Sequence, residues 1–124
     1  MERSELGWKS IQKLAGEKGI LAMEELLKTS PRLGKLALEF GYGDIYSNQT
    51  LDFKQRAIIT LSSLITQGDT GRGLHYHFRA ALKVGWTKEE IMEVISHCAA
   101  YCGFPKALSA VFIFQSIIEE QEIN

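Results

Sequence analysis

TKEEIMEVISHCAAYCGFPKALSAVFIFQSII, Thr87 to Ile118, is the stretch that decides the fold. Thr87 followed by Glu90 makes the T-x-x-E pattern, in which each side chain satisfies the other residue's free backbone N–H, so a helix begins at Lys88. Ile91, Val94, Ile95, Cys98 and Cys102 recur at helical spacing and give that helix one apolar face. Gly103 ends it, and Pro105 falls where an early helical residue tolerates a missing N–H. From Ala107 to Ile118 the chain is apolar on nearly every side, broken by Ser109, Gln115 and Ser116. A helix apolar all round must be buried all round. A chain of 124 residues has little room to enclose one completely, so one face is expected to pack internally and another on a neighbouring subunit.

Upstream, Leu74, Phe78, Ala81 and Leu82 make another apolar stripe ending at Gly85. Asp52 with Gln55 predicts a second capping box, opening a helix that carries Ala57, Ile58, Leu61, Leu64 and Ile65 and stops at Gly68. Pro31 after Ser30 starts a helix to about Phe40, with Leu33, Leu36, Ala37 and Phe40 on one face. Leu6, Ile11, Leu14, Ile20, Met23, Leu26 and Leu27 fit one or two N-terminal helices with a break at Gly16 and Gly19. Gly41 to Thr50 and Gly68 to Gly73 read as loops. The expectation is an all-α protein of about six helices, a single compact helical domain over residues 1–124.

The composition, 45% apolar and 23% charged, is that of an ordinary globular domain. Fourteen Lys and Arg against fifteen Asp and Glu leave no positive surplus for a phosphate backbone, so nucleic acid is not an expected partner. Ala107 to Ile118 is shorter than the roughly 20 residues that cross a bilayer, and Met1 to Glu5 lacks a basic-then-apolar leader pattern. A cytoplasmic protein without a membrane partner is expected. Two cysteines do not make a disulfide scaffold.

Three histidines are candidates for chemistry. His77, three residues after Leu74 and four before Ala81, points toward the interior or a cleft beside it, and His97 lies one turn after Val94 and one before Tyr101. Either they are a general acid or base pair in a helix-lined pocket, or one is a hydrogen-bonded interior histidine and the others lie on the surface. His75 and His77 diverge by about 200 degrees on a helix and no ligand motif accompanies them, so no metal is expected. Cys98 and Cys102 suit core packing better than a redox pair. Arg56 and Arg79 can grip a carboxylate by a bidentate fork or serve surface ion pairs. Trp86, Tyr101 and Phe104 either wall an apolar pocket or pack the core. Phosphate-cradling glycine motifs and a G-x-S-x-G elbow are missing.

Three stretches, LDFKQR from Leu51, HFRAALKVGWTKEEI from His77 and HCAAYCGFPKA from His97, together resemble the carboxymuconolactone decarboxylase family over roughly Pro31 to Glu120. The resemblance implies an all-helical fold of the alkylhydroperoxidase D type, assembly as trimers or hexamers, and no bound cofactor. It implies one of two activities: decarboxylation of a carboxylated lactone, or thiol-based peroxide reduction. The peroxidase branch places cysteines at the positions of Thr70 and Gly73 and often a glutamate at Ala57. The decarboxylase branch often has an acid or amide at Gly73. What survives is His77, which matches the family's histidine, with Arg56, His97 and the YCGFP turn. The first expectation is therefore a small-molecule enzyme of the decarboxylase kind. In it His77 and His97 are catalytic, and Arg56, Arg79 and Tyr101 contact the substrate. His77 is expected in a partly buried cleft facing the turn after His97. The alternatives are a peroxidase using Cys98 and Cys102, or an idle oligomeric binding protein.

Overall fold

A computed structural model describes residues 1–123. The helices are α1 (Arg3–Thr29), α2 (Pro31–Leu36), a π-helical segment (Ala37–Ile45), α3 (Phe53–Gln67), α4 (Arg72–Lys83), α5 (Lys88–Cys102) and α6 (Phe104–Ile123), and no strand occurs among the described residues. The fold is all-α, as its sequence periodicity predicts. Backbone contacts gather into two compact units, the first Met1–Arg56 and the second starting at Ala57.

In the first unit α1 is broken at Gly16, whose φ of 65° and ψ of −150° lie outside helical space. Glycine reaches that region without the steric cost of a Cβ, and the break falls within the expected Gly16–Gly19 interval. The two arms of α1 fold against α2 and the π segment around Ile11, Met23 and Leu38, with Trp8, Leu27 and Tyr42 packed on them. At Gly7 the approach is so close that a Cβ would run into the Leu38 carbonyl oxygen. The Arg3 guanidinium grips Asp44 with two bonds, Nε to Oδ1 at 3.0 Å and Nη2 to Oδ2 at 2.8 Å, tying the end of the π segment to the start of α1. Because that pair is exposed, solvent and salt screen it, and its role is to fix geometry more than to add stability.

Two sequence expectations change here. The helix from Pro31 does not stop near Phe40 but continues through Ile45, so Gly41 to Ile45 is helical rather than loop. The inward face is also different: Gly34 and Leu38 are buried, while Leu33 and Phe40 are each 58% exposed and Leu36 lies outside with them. The reason is steric. A Cβ at Gly34 would stand 2.8 Å from Leu27 Cδ2, so α2 meets α1 through its glycine, and the bulky stripe is turned outward.

The second unit is built on α6, which packs against α4 and α5. Leu61 and Ile65 of α3, Leu74 and Phe78 of α4, Ile91 and Ile95 of α5, and Ala110, Phe114 and Ile117 of α6 are buried. The Phe78 and Phe114 rings lie 4.8 Å apart, tilted by 34°. Both capping boxes form. Gln55 N donates to Asp52 Oδ1 at 2.7 Å and Asp52 N to Gln55 Oε1 at 3.0 Å; Glu90 N donates to Thr87 Oγ1 at 3.1 Å and Thr87 N to Glu90 Oε1 at 2.9 Å. The opposite face of α6 is also apolar: Phe104 and Phe112, with Leu108 between them, are each 72% exposed in this chain. Among the described residues no helix is long and apolar enough to cross a membrane.

Gly7→Ala tests the close approach. Alanine gains about 1 kcal/mol in helix propensity, but the Leu38 carbonyl is backbone and overpacking costs about 1–3 kcal/mol, so a net loss of about 1 kcal/mol is expected in urea denaturation. Gly41→Ala, where a Cβ meets nothing within 4 Å, is expected to leave stability equal or higher. Equal midpoints for Gly7→Ala and the natural protein would show that the two elements are free to separate.

Candidate active site around His77

α4 is introduced by a tight loop. Gly68 ends α3 with a φ of 81°, Asp69 N donates to Leu64 O at 3.0 Å, and Gly71 N donates to Asp69 Oδ1 at 3.0 Å. That last bond is an Asx turn, which sets the start of α4. His77 follows on α4 beside the buried stripe Leu74, Phe78 and Ala81, and is itself half-buried. Its ring stands edge-on to Tyr76, with centroids 4.8 Å apart and planes at 74°. Nδ1 is enclosed and has no hydrogen-bond partner. A buried polar atom left in that condition costs about 1–3 kcal/mol, so the placement of His77 carries an energetic cost.

Burial lowers the imidazole pKa from 6.5 to about 4, and the Asp69 carboxylate opposes that shift. At neutral pH the ring is uncharged and able to accept a proton.

The other expected site residues have partners of their own. His97 is exposed on α5 with its ring over Tyr101, 5.5 Å between centroids, and Tyr101 is 82% exposed. The structure thus joins His97 to Tyr101 on a solvent-facing side of α5, while His77 sits with Tyr76 and Asp69. Tyr101 and Phe104 are outside the core of this chain rather than packed into it. Arg79 Nη2 pairs with Glu120 Oε2 of α6 at 2.9 Å. Arg56 donates from Nε to Leu51 O at 3.2 Å and from Nη2 to Asn48 O at 2.9 Å, which fixes the loop before α3. The Asn48 and Leu51 backbone so held forms part of the wall of a cleft of about 280 Å³ in the first unit, where Lys9, Lys13 and Phe53 also lie. Asp69 is the residue that sequence reading missed, although the D-x-G spacing within GDTGRG already signalled an Asx turn.

Cys98 and Cys102 are free thiols. Burial pushes the Cys98 thiol up, against a hydrogen bond with Ser62, so it is held protonated and is a poor nucleophile. Among the described residues no three His, Cys, Asp or Glu side chains gather as metal ligands would.

With this geometry established, comparison with known proteins places the chain. It belongs to the carboxymuconolactone decarboxylase family, whose sequence pattern matches residues 31–116. Among its relatives, a nitrosuccinic acid decarboxylase of Metarhizium robertsii is 35% identical over 86 residues, 69% of this chain. The chain spans 59% of that fungal protein's length. The 4-carboxymuconolactone decarboxylase of Acinetobacter baylyi is 26% identical over 120 residues, covering 96% of this chain and 89% of that protein. An uncharacterised 15.0 kDa protein encoded between nqo9 and nqo10 in Paracoccus denitrificans is 33% identical over 102 residues, 82% of this chain and 74% of its own length.

The half-buried imidazole has a stability consequence. The unfolded chain binds a proton on His77 near pH 6.5, whereas the folded protein does so only near pH 4, so between those values protonation favours unfolding. This component of stability is complete above about pH 6.5 and is lost as pH falls to about 4, by up to about 3 kcal/mol. Between pH 7 and pH 4.5 the urea midpoint of the natural protein is expected to fall more than that of His77→Gln. A parallel decline of the two would show a solvated ring.

Proposed function

We propose that this protein is a cofactor-independent decarboxylase acting on a carboxylated lactone or a related small acid, with His77 moving the proton. The observation that carries the reading is the half-buried, uncharged imidazole with an unpartnered Nδ1 on α4, at the position that matches the family's histidine. Two of the relatives above are named as decarboxylases, one of 4-carboxymuconolactone and one of nitrosuccinic acid, and both substrates are compact acids.

In such a reaction the bond from carbon to a carboxylate breaks and carbon dioxide leaves. The electron pair passes onto the neighbouring carbonyl or nitro group as an enolate-type anion. A proton from the His77 imidazolium is then added at carbon, and the ring regains one from solvent. An imidazole whose pKa is about 4 is neutral at rest, and an anionic substrate beside it raises that value, so proton uptake accompanies binding. Arg79 is offered as a cation for a substrate carboxylate because its exposed pair with Glu120 is worth at most about 1 kcal/mol and exchanges readily. Arg56, in the first unit, is offered separately as a carboxylate-binding cation, since it has guanidinium N–H groups beyond the two on the loop. His97, as a second proton-transfer group, and Tyr101, as a substrate contact, are offered from the exposed side of α5.

The same reading includes assembly. Phe104, Leu108 and Phe112 are four residues apart on one face of α6, and that face is proposed as the contact between copies of this chain in a trimer or hexamer.

Incubation with 4-carboxymuconolactone and with nitrosuccinate is expected to release carbon dioxide from at least one. His77→Gln should lower kcat by about 100-fold or more. No release from either acid, or a Gln variant with an unchanged rate and pH profile, would remove the decarboxylase reading or the role of His77 respectively. Light scattering during size exclusion is expected to give a trimer or a multiple of it, and Phe112→Glu is expected to shift it toward monomer. A monomeric natural protein at micromolar concentration contradicts the assembly.

A further inference from the structure

We infer that Asp69 is the positioning residue for His77: its carboxylate is delivered from the loop before α4 into the space above the bare backbone of Gly73 and keeps the imidazole able to carry a proton. The inference rests on the proton-transfer reading of His77 given above and names a second residue of that site.

Both oxygens of Asp69 are accounted for by geometry. Oδ1 accepts the Gly71 N–H at 3.0 Å, and Oδ2 lies 2.9 Å from where a Cβ on Gly73 would stand. Only glycine at position 73 leaves the carboxylate in that place without displacement. Gly73 and His77 are four residues apart on α4 and so share a face. Helical side chains lean toward the N-terminus, so the His77 ring is directed back over the turn that contains Gly73. A carboxylate held above Gly73 therefore lies on the side toward which His77 leans.

The charge reaches the ring. Asp69 is half-buried, and it is the charged group that acts on His77, favouring the imidazolium against burial; the Tyr76 ring packed edge-on contributes no charge. A general acid needs the protonated ring, and enclosure alone drives the proton off. The loop carboxylate moderates that effect without putting a second buried charge on α4 itself. A turn-forming role alone would require only Oδ1, which an amide supplies equally well. An anion is needed only for the effect on the ring.

Asp69→Asn separates the two roles, because it keeps an acceptor for Gly71 N–H and removes the charge. The proton affinity of the His77 ring, read from its ¹⁵N shifts between pH 3 and 7 with circular dichroism alongside to follow folding, is expected to fall about threefold or more. The melting temperature should stay within a few degrees, and kcat for carbon dioxide release should fall about tenfold with KM little changed. Returning a carboxylate from the neighbouring position, with Asp69→Ala and Gly73→Glu combined, is expected to restore the ring's proton affinity and part of kcat. Unchanged ring titration in Asp69→Asn overturns the inference, whatever the activity. A lowered ring affinity in a protein that releases no carbon dioxide from either acid supports the pairing while removing the decarboxylase reading. A loss of kcat with no change in the ring also overturns it, since Asp69 would then act on something other than His77.

Discussion

The apolar surface of α6 exceeds what its own chain covers, and much of the second unit is arranged around the half that is covered. Ala107, Ala110, Phe114, Ile117 and Ile118 form the inner face, against which α4 and α5 pack. Fully burying a phenylalanine is worth about 2–3 kcal/mol, so the Phe78 and Phe114 pair alone is comparable with a sizeable fraction of a small domain's net stability. That contact also fixes the rotation of α4 about its axis. With Leu74, Phe78 and Ala81 turned onto α6, His77 falls at the margin of the stripe, neither enclosed like Phe78 nor open like His97. The position of the imidazole is thus a by-product of core packing, and its low pKa follows from it.

Helix ends were the most legible part of the fold because they depend on local chemistry. A hydroxyl or carboxylate that accepts from a backbone N–H three residues on, or a glycine free to take positive φ, acts within one turn, and Asp52, Thr87, Gly68, Gly85 and Gly103 all do so. The face that each helix presents is a tertiary matter, and there local reading failed at α2. Leu33, Leu36 and Phe40 make a plausible inward stripe by spacing, yet the contact with α1 is made by Gly34 because no side chain fits there. The π segment was equally hidden. Gly41 and Gly43 look like loop residues by propensity, and packing of Leu38 and Gly43 against α1 overrides that preference.

The site divides in the same way. His77 was readable because its spacing placed it beside a core stripe, and burial of a titratable ring is the expected result. Arg56 and Arg79 were readable as cations but not in their attachments, since a guanidinium can reach a loop carbonyl or a distant glutamate with equal ease. Asp69 could not be assigned to His77 from spacing, because the two are eight positions apart across a loop, and the turn at Gly71 is what directs the carboxylate.

The departures from the thiol pattern form a consistent set once the environments are compared. Thr70 and Gly73 carry no thiol, and the two cysteines present are on α5, where burial holds the Cys98 sulfur protonated. At Ala57, which is buried, a carboxylate would need a partner to offset several kcal/mol of desolvation, and the natural methyl group avoids that cost. The missing side chain at Gly73 leaves room for the Asp69 carboxylate, whose Oδ2 lies 2.9 Å from where a Cβ would stand. At His77 the imidazole is depressed by burial and the Asp69 carboxylate counters that shift. Such a pair is suited to the proton transfer proposed for His77. An enolate-type anion formed by loss of carbon dioxide needs a proton donor more than it needs an electron carrier, and that requirement is what links the electrostatics of His77 to the decarboxylase reading.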